Sequence, residues 1–316
     1  MVYKYDISKY LDKKDVKILR ELDNDPRQSI NQIAKKVGLN KETTKYRLNK
    51  LERNLISHYW TIPKGSIVGN VYKILIKNKS LPDIERFIEY LQQEIVSWYA
   101  QTNGSYDFII SLTPKNLQEF SDFYTNLIEH FGKHINKREI LITTRYMQTN
   151  ETYLYSKNKL LYVIDESLGN QTELDKIDNQ IIKILSHKGT SSFTDISKEI
   201  DLTPEATGKR FRKIKKKYIT KIKPRLKYEK LGLEYYHLFL SLENSSIKEK
   251  IANYFIEKHE ANCIMFHIGN FDVHLEFLTP IKKVENIITD LRKQFGQELK
   301  DFELLHIVKE YKLAII

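Results

Sequence analysis

The amino-terminal part of the chain carries apolar residues at the spacing of a helix. Asp12 can cap a first helix. The apolar positions of that helix are Val16, Leu19 and Leu22. After the polar break DNDPRQ, a short amphipathic segment ends at Gly38-Leu39, and Asn40 can cap a third helix. Three helices with a tight turn between the second and third predict a helix-turn-helix, and ISHYWTIPK then predicts a short strand and wing.

The same order of patterns returns from Leu174. Asp175 can cap a helix, and its apolar positions are Ile181, Ile182 and Leu185. Thr203 can cap the third helix of this stretch, with Pro204 at the first helical position, where a missing N–H costs nothing. ITKIKPRLK then predicts a second strand and wing, so we expect a second winged helix-turn-helix.

The third helix of each stretch has an inner and an outer face. The residues predicted to point inward are Thr44, Leu48 and Leu51 in the first stretch, and Thr207, Phe211 and Ile214 in the second. Cationic and polar side chains on the outer face suit a major groove, where they reach phosphates and base edges. The predicted DNA-binding residues are Lys41, Thr43, Lys45, Tyr46, Arg47, Lys50, Lys209, Arg210, Arg212, Lys213 and Lys216, with Lys223 and Arg225 in the second wing. A helical bundle without a binding function is the alternative interpretation.

Each helical stretch is followed by segments whose apolar residues alternate with the period of a strand. In the first copy these are VYKILIKN, a helix from Pro82 to Gln93, IVSWYAQT, YDFIISLT, a helix from Asn116 to Phe131, and REILITTRY. The order strand, helix, two strands, helix, strand predicts a ferredoxin-like unit. Such a sheet has helices on one face only, so its other face needs a partner, and a second copy is the economical choice.

The chain is therefore two copies of one α+β unit. LDKKDVKILREL from Leu11 matches LDKIDNQIIKIL from Leu174, an offset of 163, and NGSYDFIISLTP matches IGNFDVHLEFLTP further along. We predict winged helix-turn-helix modules at residues 1–65 and 174–228 and ferredoxin-like domains at 66–150 and 229–316. Residues 151–173, with a Tyr-rich segment and the apolar run KLLYVID, are predicted to be a crossover linker. The two ferredoxin-like domains are expected to pair within the chain as a pseudo-dimer.

Positive charge is concentrated in one segment. From Lys209 to Lys227 there are eleven Lys or Arg and no Asp or Glu, which equals the net charge of +11 for the whole chain. A localised positive field of this kind suggests a polyanion as partner. A solvated helix face in a lysine-rich protein is the alternative.

Composition narrows the class of protein. The only cysteine, Cys263, rules out an internal disulfide and a Cys-rich zinc site, as expected in a reducing compartment. The first residues lack the apolar core of a signal peptide, and no apolar run approaches the length of about 18 to 20 residues that spans a bilayer. We predict a cytoplasmic protein with no membrane partner.

One strand of the second copy raises the question of a metal site. Alternation places Asp272, His274 and Glu276 on one face, with Cys263 and His267 on the facing strand. The first copy has no histidine in its corresponding strand, which contains Phe108, Ile110 and Leu112. We interpret the histidines as satisfied interface residues and predict neither a metal nor a cofactor.

Several of these motifs together resemble the Lrp/AsnC, or feast/famine, transcription regulators. They are the leading LDxxD, the run SINQIAKKVGLN, the run TTxxRLxxLE, and the Gly-x-Tyr/Phe-Asp hairpin, and the similarity covers nearly the whole chain, twice. The resemblance implies a helix-turn-helix followed by a ligand-sensing domain of ferredoxin-like fold, and dimers joined through the sensing sheets. It also implies a small effector, often an amino acid, near the hairpin. The residues bordering the implied effector sites are Gly104, Tyr106, Asp107, Gly269, Phe271 and Asp272.

We therefore predict a transcription regulator that binds double-stranded DNA, responds to a small effector, and forms an intrachain pseudo-dimer or a larger homo-oligomer. Because the two recognition helices differ, the second being the electrostatic anchor, the DNA site should be an imperfect or direct repeat. Two alternatives stay open. Siroheme decarboxylases share the two-module layout, and His267, His274 and His306 would be the candidates for contact with a tetrapyrrole. The other alternative is a sequence-indifferent architectural DNA-binding protein.

Overall fold

The computed structural model describes residues 7–80, 84–155, 163–169, 172 and 174–313. The chain divides into two compact units, and each unit combines corresponding parts of both sequence repeats. The helix-turn-helix unit comprises Met1–Lys64, Asn150–Tyr162 and Glu173–Leu233. The barrel unit comprises Gly65–Thr149, Val163–Thr172 and Glu234–Ile316.

The elements of the first repeat follow the predicted order. They are α1 (Lys13–Asn24), α2 (Ile30–Val37), α3 (Lys41–Asn54), β1 (Ile56–Pro63), α4 (Gly65–Val68), β2 (Val71–Asn78), α5 (Ile84–Tyr90), β3 (Val96–Asn103), β4 (Phe108–Leu112), α6 (Leu117–Phe131), β5 (Ile135–Thr149) and β6 (Val163–Ser167). Most of the predicted crossover run KLLYVID lies outside the described residues, and the described part begins β6, which pairs with the end of β5.

The second repeat has the same order. Its elements are α7 (Lys176–His187), α8 (Phe193–Ile200), α9 (Pro204–Tyr218), β7 (Ile219–Leu226), β8 (Glu234–Leu242), α10 (Lys248–Glu257), β9 (Cys263–Ile268), β10 (Val273–Thr279), α11 (Ile281–Phe295) and β11 (Leu299–Leu313). Among the described residues, no helix is both long enough and apolar enough to cross a membrane.

Side-chain caps begin the helices of both helix-turn-helix modules at the predicted residues. Asp12 caps α1 and Asp175 caps α7, while Asn40 and Thr203 cap the two third helices. The turn before α3 uses Gly38 in a left-handed conformation with φ of 73°. Asp201 takes the corresponding position before α9 with φ of 51°, a conformation that Asp adopts more readily than most residues.

The wing strands of the two copies pair with each other. β1 and β7 run antiparallel, with Ile56 opposite Leu226. Trp60 and Lys223, which are equivalent at the repeat offset of 163, lie opposite each other at the centre of the pair. The two modules are therefore related by a local pseudo-twofold axis. Arg27 of the first module adds a second link, since its guanidinium donates to the carbonyl oxygens of Gly189 and Ser191 at 2.9 and 3.0 Å.

The strands of the barrel unit form a sheet that closes on itself. Its order is β2-β4-β3-β11-β8-β10-β9-β5-β6, and β2 also pairs with β5. Each repeat contributes a ferredoxin-like sheet, and both edges of one sheet pair with edges of the other, through β3–β11 and β5–β9. The long strands β5 and β11 make this possible because each pairs within its own repeat and then continues along the other. The prediction that the free sheet faces meet within one chain is confirmed.

Each sheet has one apolar face covered by its own helices. Fully buried residues of these two cores include Ile74, Phe87 and Leu127 in the first repeat, and Leu240, Phe255 and Leu291 in the second. The opposite faces line the inside of the barrel, where the Trp98 and His237 rings stack with centroids 5.3 Å apart. This interior also holds polar residues, among them Lys73, His274 and Glu276.

Candidate nucleic-acid interface

The helix-turn-helix unit presents α3 and α9 with their predicted inner faces packed. Thr44 and Leu51 are buried on α3, and Leu48 is half-buried. Thr207, Phe211 and Ile214 are buried on α9. The hydroxyl of each inner threonine donates to the carbonyl of its helix cap, at 2.9 Å for Thr44 and 3.0 Å for Thr207. The inner faces thus fix which side chains of the two recognition helices remain outside.

Four cations form a stripe along the exposed side of α9. They are Lys209, Arg212, Lys213 and Lys216, all exposed, and their spacing of three and four residues places them on one helix face. Glu205 lies 2.9 Å from the Lys209 ammonium, but both groups are largely exposed, so this pair contributes little. The stripe therefore keeps a net positive charge that can meet a row of phosphates.

The equivalent face of α3 is chemically different. At the repeat offset of 163, the four positions are Tyr46, Asn49, Lys50 and Arg53, so two of the four cations are replaced. Tyr46 is 70% exposed. The other predicted contacts on α3 are outward as well: Lys41 and Lys45 are exposed and Thr43 is half-buried. The first recognition helix offers fewer charges and more groups suited to base edges.

Arg47 and Arg210, also predicted to contact DNA, are held inside their own modules. The Arg47 guanidinium lies 2.6 Å from the Asp12 carboxylate and 2.7 Å from that of Asp15. Arg210 makes the same pair of contacts with Asp175 and Asp178, at 2.6 and 2.5 Å. The hydrogen bond that Arg47 donates to Asp12 raises the pKa of Arg47, and the one that Arg210 donates to Asp175 raises the pKa of Arg210. These arginines fasten each recognition helix to the first helix of its module, and their contact with DNA stays a prediction.

The sequence contained a signal for this clamp that the prediction did not use. In both copies the arginine follows the first aspartate of LDxxD by 35 residues. Two acids at the start of one helix and an arginine on another, repeated at equal spacing, indicate an ion pair that the fold requires twice. The motif that carries the family resemblance therefore has a structural function within each module.

Lys223 does not belong to the exposed surface either. Its side chain is only 1% exposed, and its ammonium lies 2.5 Å from Glu151 and 3.9 Å from Asp23. Lys221 is also buried and lies 3.6 Å from Asp23. A buried lysine between carboxylates cannot reach a phosphate, so the prediction for Lys223 is wrong. Arg225 is half-buried, with its guanidinium over the Tyr228 ring.

Asp23 is the centre of this buried cluster. Its carboxylate accepts hydrogen bonds from Asn150 Nδ2 at 2.6 Å and from the Tyr155 hydroxyl at 2.9 Å. Burial alone would raise the pKa of Asp23, but the charges of Lys223 and Lys221 outweigh burial and lower it. Two of the eleven cations counted from Lys209 to Lys227 are thus neutralised inside the unit.

In the barrel unit, the hairpins implied as effector sites lie where the two repeats meet. Gly104, with φ of 139°, packs so closely on β11 that a Cβ would lie 2.7 Å from Leu305 Cδ2. Gly269, with φ of 142°, packs in the same way on β5, where a Cβ would lie 2.8 Å from Leu141 Cδ2. Ser105 donates a hydrogen bond to Glu303 of the other repeat. Each hairpin therefore contacts the long strand of the opposite repeat.

The other implied effector residues support these hairpins. Tyr106 and Phe271 are buried. Asp107 accepts from the Asn78 N–H at 2.7 Å and from Lys77 Nζ at 2.9 Å. Asp272 accepts from the Leu242 N–H at 2.9 Å and from the hydroxyl of Ser245 at 2.6 Å. The two aspartates thus hold the hairpin against the end of the first strand of each ferredoxin-like sheet.

Two family models match the helix-turn-helix modules. A model described as winged helix-turn-helix DNA-binding matches residues 11–54, and one described as AsnC-type helix-turn-helix domain matches residues 174–215. The two matches lie in corresponding parts of the repeats, as expected for a tandem chain.

Similar proteins and structures cover either one repeat or the whole chain. The HTH-type transcriptional regulator FL11 of Pyrococcus horikoshii is 32% identical over 117 residues, which are 36% of this chain and 77% of that protein. The HTH-type transcriptional regulator Ptr1 of Methanocaldococcus jannaschii is 30% identical over 123 residues, 37% of this chain and 82% of that protein. The crystal structure of the siroheme decarboxylase NirDL is 13% identical, with a TM-score of 0.64, and the match covers 96% of this chain and 93% of that one.

The likeness to NirDL concerns the fold, whereas the likeness to the regulators and the family models concerns the family. The likeness to NirDL extends over both repeats but, at 13% identity, establishes only a shared fold. The two regulators match over most of their own length and correspond to about one repeat of this chain. With AsnC-type helix-turn-helix sequence in one repeat and winged helix-turn-helix sequence in the other, the chain belongs to the Lrp/AsnC family of transcription regulators.

Proposed function

We propose that this regulator binds double-stranded DNA through both recognition helices, and that α9 supplies most of the phosphate contacts. The observation that carries the proposal is the exposed stripe of Lys209, Arg212, Lys213 and Lys216. Phosphate contacts release counterions and give affinity without sequence preference. The α3 surface, with Lys41, Thr43, Lys45, Tyr46 and Lys50, then contributes more of the discrimination between bases. The protein would act in the compartment that holds the chromosome.

The proposal is tested by the salt dependence of DNA binding. In a variant with all four stripe residues changed to Gln, binding should weaken on every duplex tested. The slope of log K against log salt should become shallower by about 0.9 for each phosphate that the variant no longer neutralises. The measurement is a fluorescence anisotropy titration of one duplex at several salt concentrations.

A matched control changes the same charge elsewhere on the chain. Four exposed lysines of the barrel unit, Lys282, Lys283, Lys293 and Lys300, are replaced by Gln together. This variant loses the same net charge, so it reports the effect of overall charge alone. An equal loss of slope in the two variants would show that the stripe has no special part in binding.

We further propose that a small effector binds at the hairpins containing Gly104 and Gly269, as the family resemblance implies. The support is that both hairpins lie at the seam between the repeats, where a ligand could change how they pack. Amino acids added to the same anisotropy assay should shift DNA affinity, and replacing Asp107 or Asp272 by Asn should reduce that shift. An absence of any shift across the set of amino acids would leave this hairpin as a structural feature only.

A second candidate function is favoured by the whole-chain likeness to NirDL, one structure of which contains an iron-uroporphyrin III analogue. Of the residues predicted for tetrapyrrole contact, His267 and His274 are buried in the barrel. His306 is partly exposed and lies 2.8 Å from the Glu234 carboxylate. Addition of iron-uroporphyrin III separates the candidates, because a shifted Soret band without DNA binding would favour a tetrapyrrole enzyme over the regulator.

A further inference from the structure

We propose that the barrel of this chain contains a binding site for one divalent transition-metal ion, formed by His237, His274 and Glu276. His237 lies on β8, whereas His274 and Glu276 lie on the neighbouring strand β10, where Glu276 is directly opposite His237. All three side chains point into the interior of the barrel. Two imidazoles and a carboxylate are a ligand set that suits Zn²⁺ and other first-row divalent ions.

The positions of the three ligand atoms fit an ion. His274 Nε2 lies 3.0 Å from His237 Nδ1, and the Glu276 Oε1 atom lies 3.9 Å from the former and 4.0 Å from the latter. A circle through the corners of a triangle with these sides has a radius of about 2.1 Å, the usual distance from Zn²⁺ to nitrogen or oxygen ligands. An ion at its centre would contact all three atoms and leave a position above or below the plane for water.

Neighbouring aromatic residues hold the ligands in this arrangement. The His237 ring stacks on Trp98, with an angle of 6° between the rings. The His274 ring stacks on Phe239, with centroids 4.0 Å apart. The Tyr235 hydroxyl donates a hydrogen bond to Glu276 Oε2, which leaves Oε1 directed toward the histidines. Ligands whose orientation is already fixed lose little entropy when an ion binds.

The two imidazoles face each other through ring nitrogens that can bind an ion. A ring nitrogen that carries no hydrogen has a lone pair to donate. The two facing nitrogen atoms at 3.0 Å can share a single hydrogen, whereas an ion between them accepts both lone pairs.

The site belongs to the second repeat alone. At the corresponding sheet positions the first repeat has Lys73 opposite Ser111, in place of His237 opposite Glu276. The Lys73 ammonium donates to Ser111 Oγ at 3.0 Å and lies over the Trp98 ring. Of the other residues that raised the question of a metal site in the sequence, Asp272 supports the hairpin and His267 faces Thr143. The sequence pattern does not identify His237 as a ligand, because His237 lies 37 residues before His274 and on a different strand.

The test is the stoichiometry of metal binding by the full-length chain. Protein unfolded in a chelator is refolded with Co²⁺ or Zn²⁺ and dialysed, and the retained metal is measured by elemental analysis. We expect one ion per chain, with d–d bands of Co²⁺ in the visible spectrum that report nitrogen and oxygen ligands. Retention of no metal by the refolded wild-type chain would overturn the proposal.

Variants locate the ion. His274→Gln and Glu276→Gln should each abolish stoichiometric retention, and Tyr235→Phe should weaken affinity by about 10-fold to 100-fold, because it removes only the group that orients Glu276. His267→Gln is the matched control, since His267 is equally buried in the barrel but is not a ligand, and it should retain one ion. Circular dichroism of each variant establishes folding. Undiminished retention in folded Glu276→Gln, or a loss in folded His267→Gln equal to that in His274→Gln, would contradict the assigned ligands.

Discussion

At the scale of single residues, several cations that look alike in the sequence have different environments. Lys213 is exposed on the α9 stripe, whereas Lys223 is buried between Glu151 and Asp23. Arg47 and Arg210 are tied to aspartates of their own modules. A count of charges in a segment therefore overstates the number that can meet DNA, because some of the charged side chains form ion pairs inside the fold.

Replacement of Gly104 and of Gly38 by Ala should cost different amounts of stability. Both have positive φ, but nothing lies within 4 Å of a Cβ built on Gly38, whereas one on Gly104 would collide with Leu305. Gly38→Ala should cost about 1 kcal/mol through backbone strain alone. Gly104→Ala should cost about 3 kcal/mol or more, because strain and overpacking both apply. Urea denaturation of the two variants measures this, and equal losses would show that the close packing of the hairpin is not required.

At the scale of elements, a buried polar cluster joins helix α1 of the first module to the wing strand β7 of the second. Asp23 at the end of α1 contacts Lys221 and Lys223 of β7. The segment after β5 adds Glu151 and Tyr155 to the same cluster. A cluster of this kind is sensitive to the loss of any one charge, because the remaining charges stay buried without compensation.

Replacement of Asp23 by Asn should therefore destabilise the helix-turn-helix unit by about 3 to 5 kcal/mol. Asp25 provides the control, because its pair with Lys215, at 3.1 Å, is about 40% exposed on both sides. Asp25→Asn should change stability by about 0 to 1 kcal/mol. Thermal or urea unfolding, followed by far-ultraviolet circular dichroism, compares the two variants. Similar losses in the free energy of unfolding would contradict a stabilising role for the cluster.

The same cluster predicts a response to acid. The pKa of Asp23 is lowered in the folded protein, so the ionised carboxylate contributes stability that is complete above the ordinary value of 3.8. That contribution is lost as the pH falls below this value and the carboxylate becomes protonated. Unfolding curves recorded from pH 6 to pH 2 should show this loss of stability in the control variant Asp25→Asn, because that variant keeps the Asp23 carboxylate. A slope equally steep in Asp23→Asn would assign the acid sensitivity to other carboxylates.

At the scale of the whole molecule, one chain contains what a pair of subunits would otherwise supply. The β1–β7 pair relates the two modules by a local pseudo-twofold axis, and the barrel joins the two ferredoxin-like sheets along both edges. Fusion also removes the need for the halves to be identical. The cationic stripe is confined to α9, and the His237, His274 and Glu276 cluster is confined to the second repeat.

The pseudo-twofold axis narrows the prediction for the DNA site. An imperfect or direct repeat was expected from sequence, and a twofold relation between modules favours the imperfect inverted repeat. Selection from random duplexes should return half-sites in opposite orientation, one of them more strictly specified than the other. Exact palindromes, or direct repeats, would show that the two recognition helices are equivalent or arranged differently on DNA.

The repeat, the order of the elements, the helix caps and the class of partner follow from local patterns in the sequence. These features depend on residues close together in the chain, such as Asn40 before α3 or Pro204 at the start of α9, where local backbone chemistry decides the outcome. The pairing of alternating strands with a second copy also followed, since an apolar pattern on one face leaves the other face to be covered.

The packing of whole elements sets which equivalent strands meet and which charged residues form ion pairs inside the fold. Trp60 and Lys223 are 163 positions apart and become neighbours at the centre of the wings, which buries the lysine and demands a carboxylate. His237 meets His274 and Glu276 because their strands are neighbours in the closed sheet. The spacing of residues along the chain does not specify that strand order. Contacts of this range depend on how whole elements pack, which local patterns do not specify.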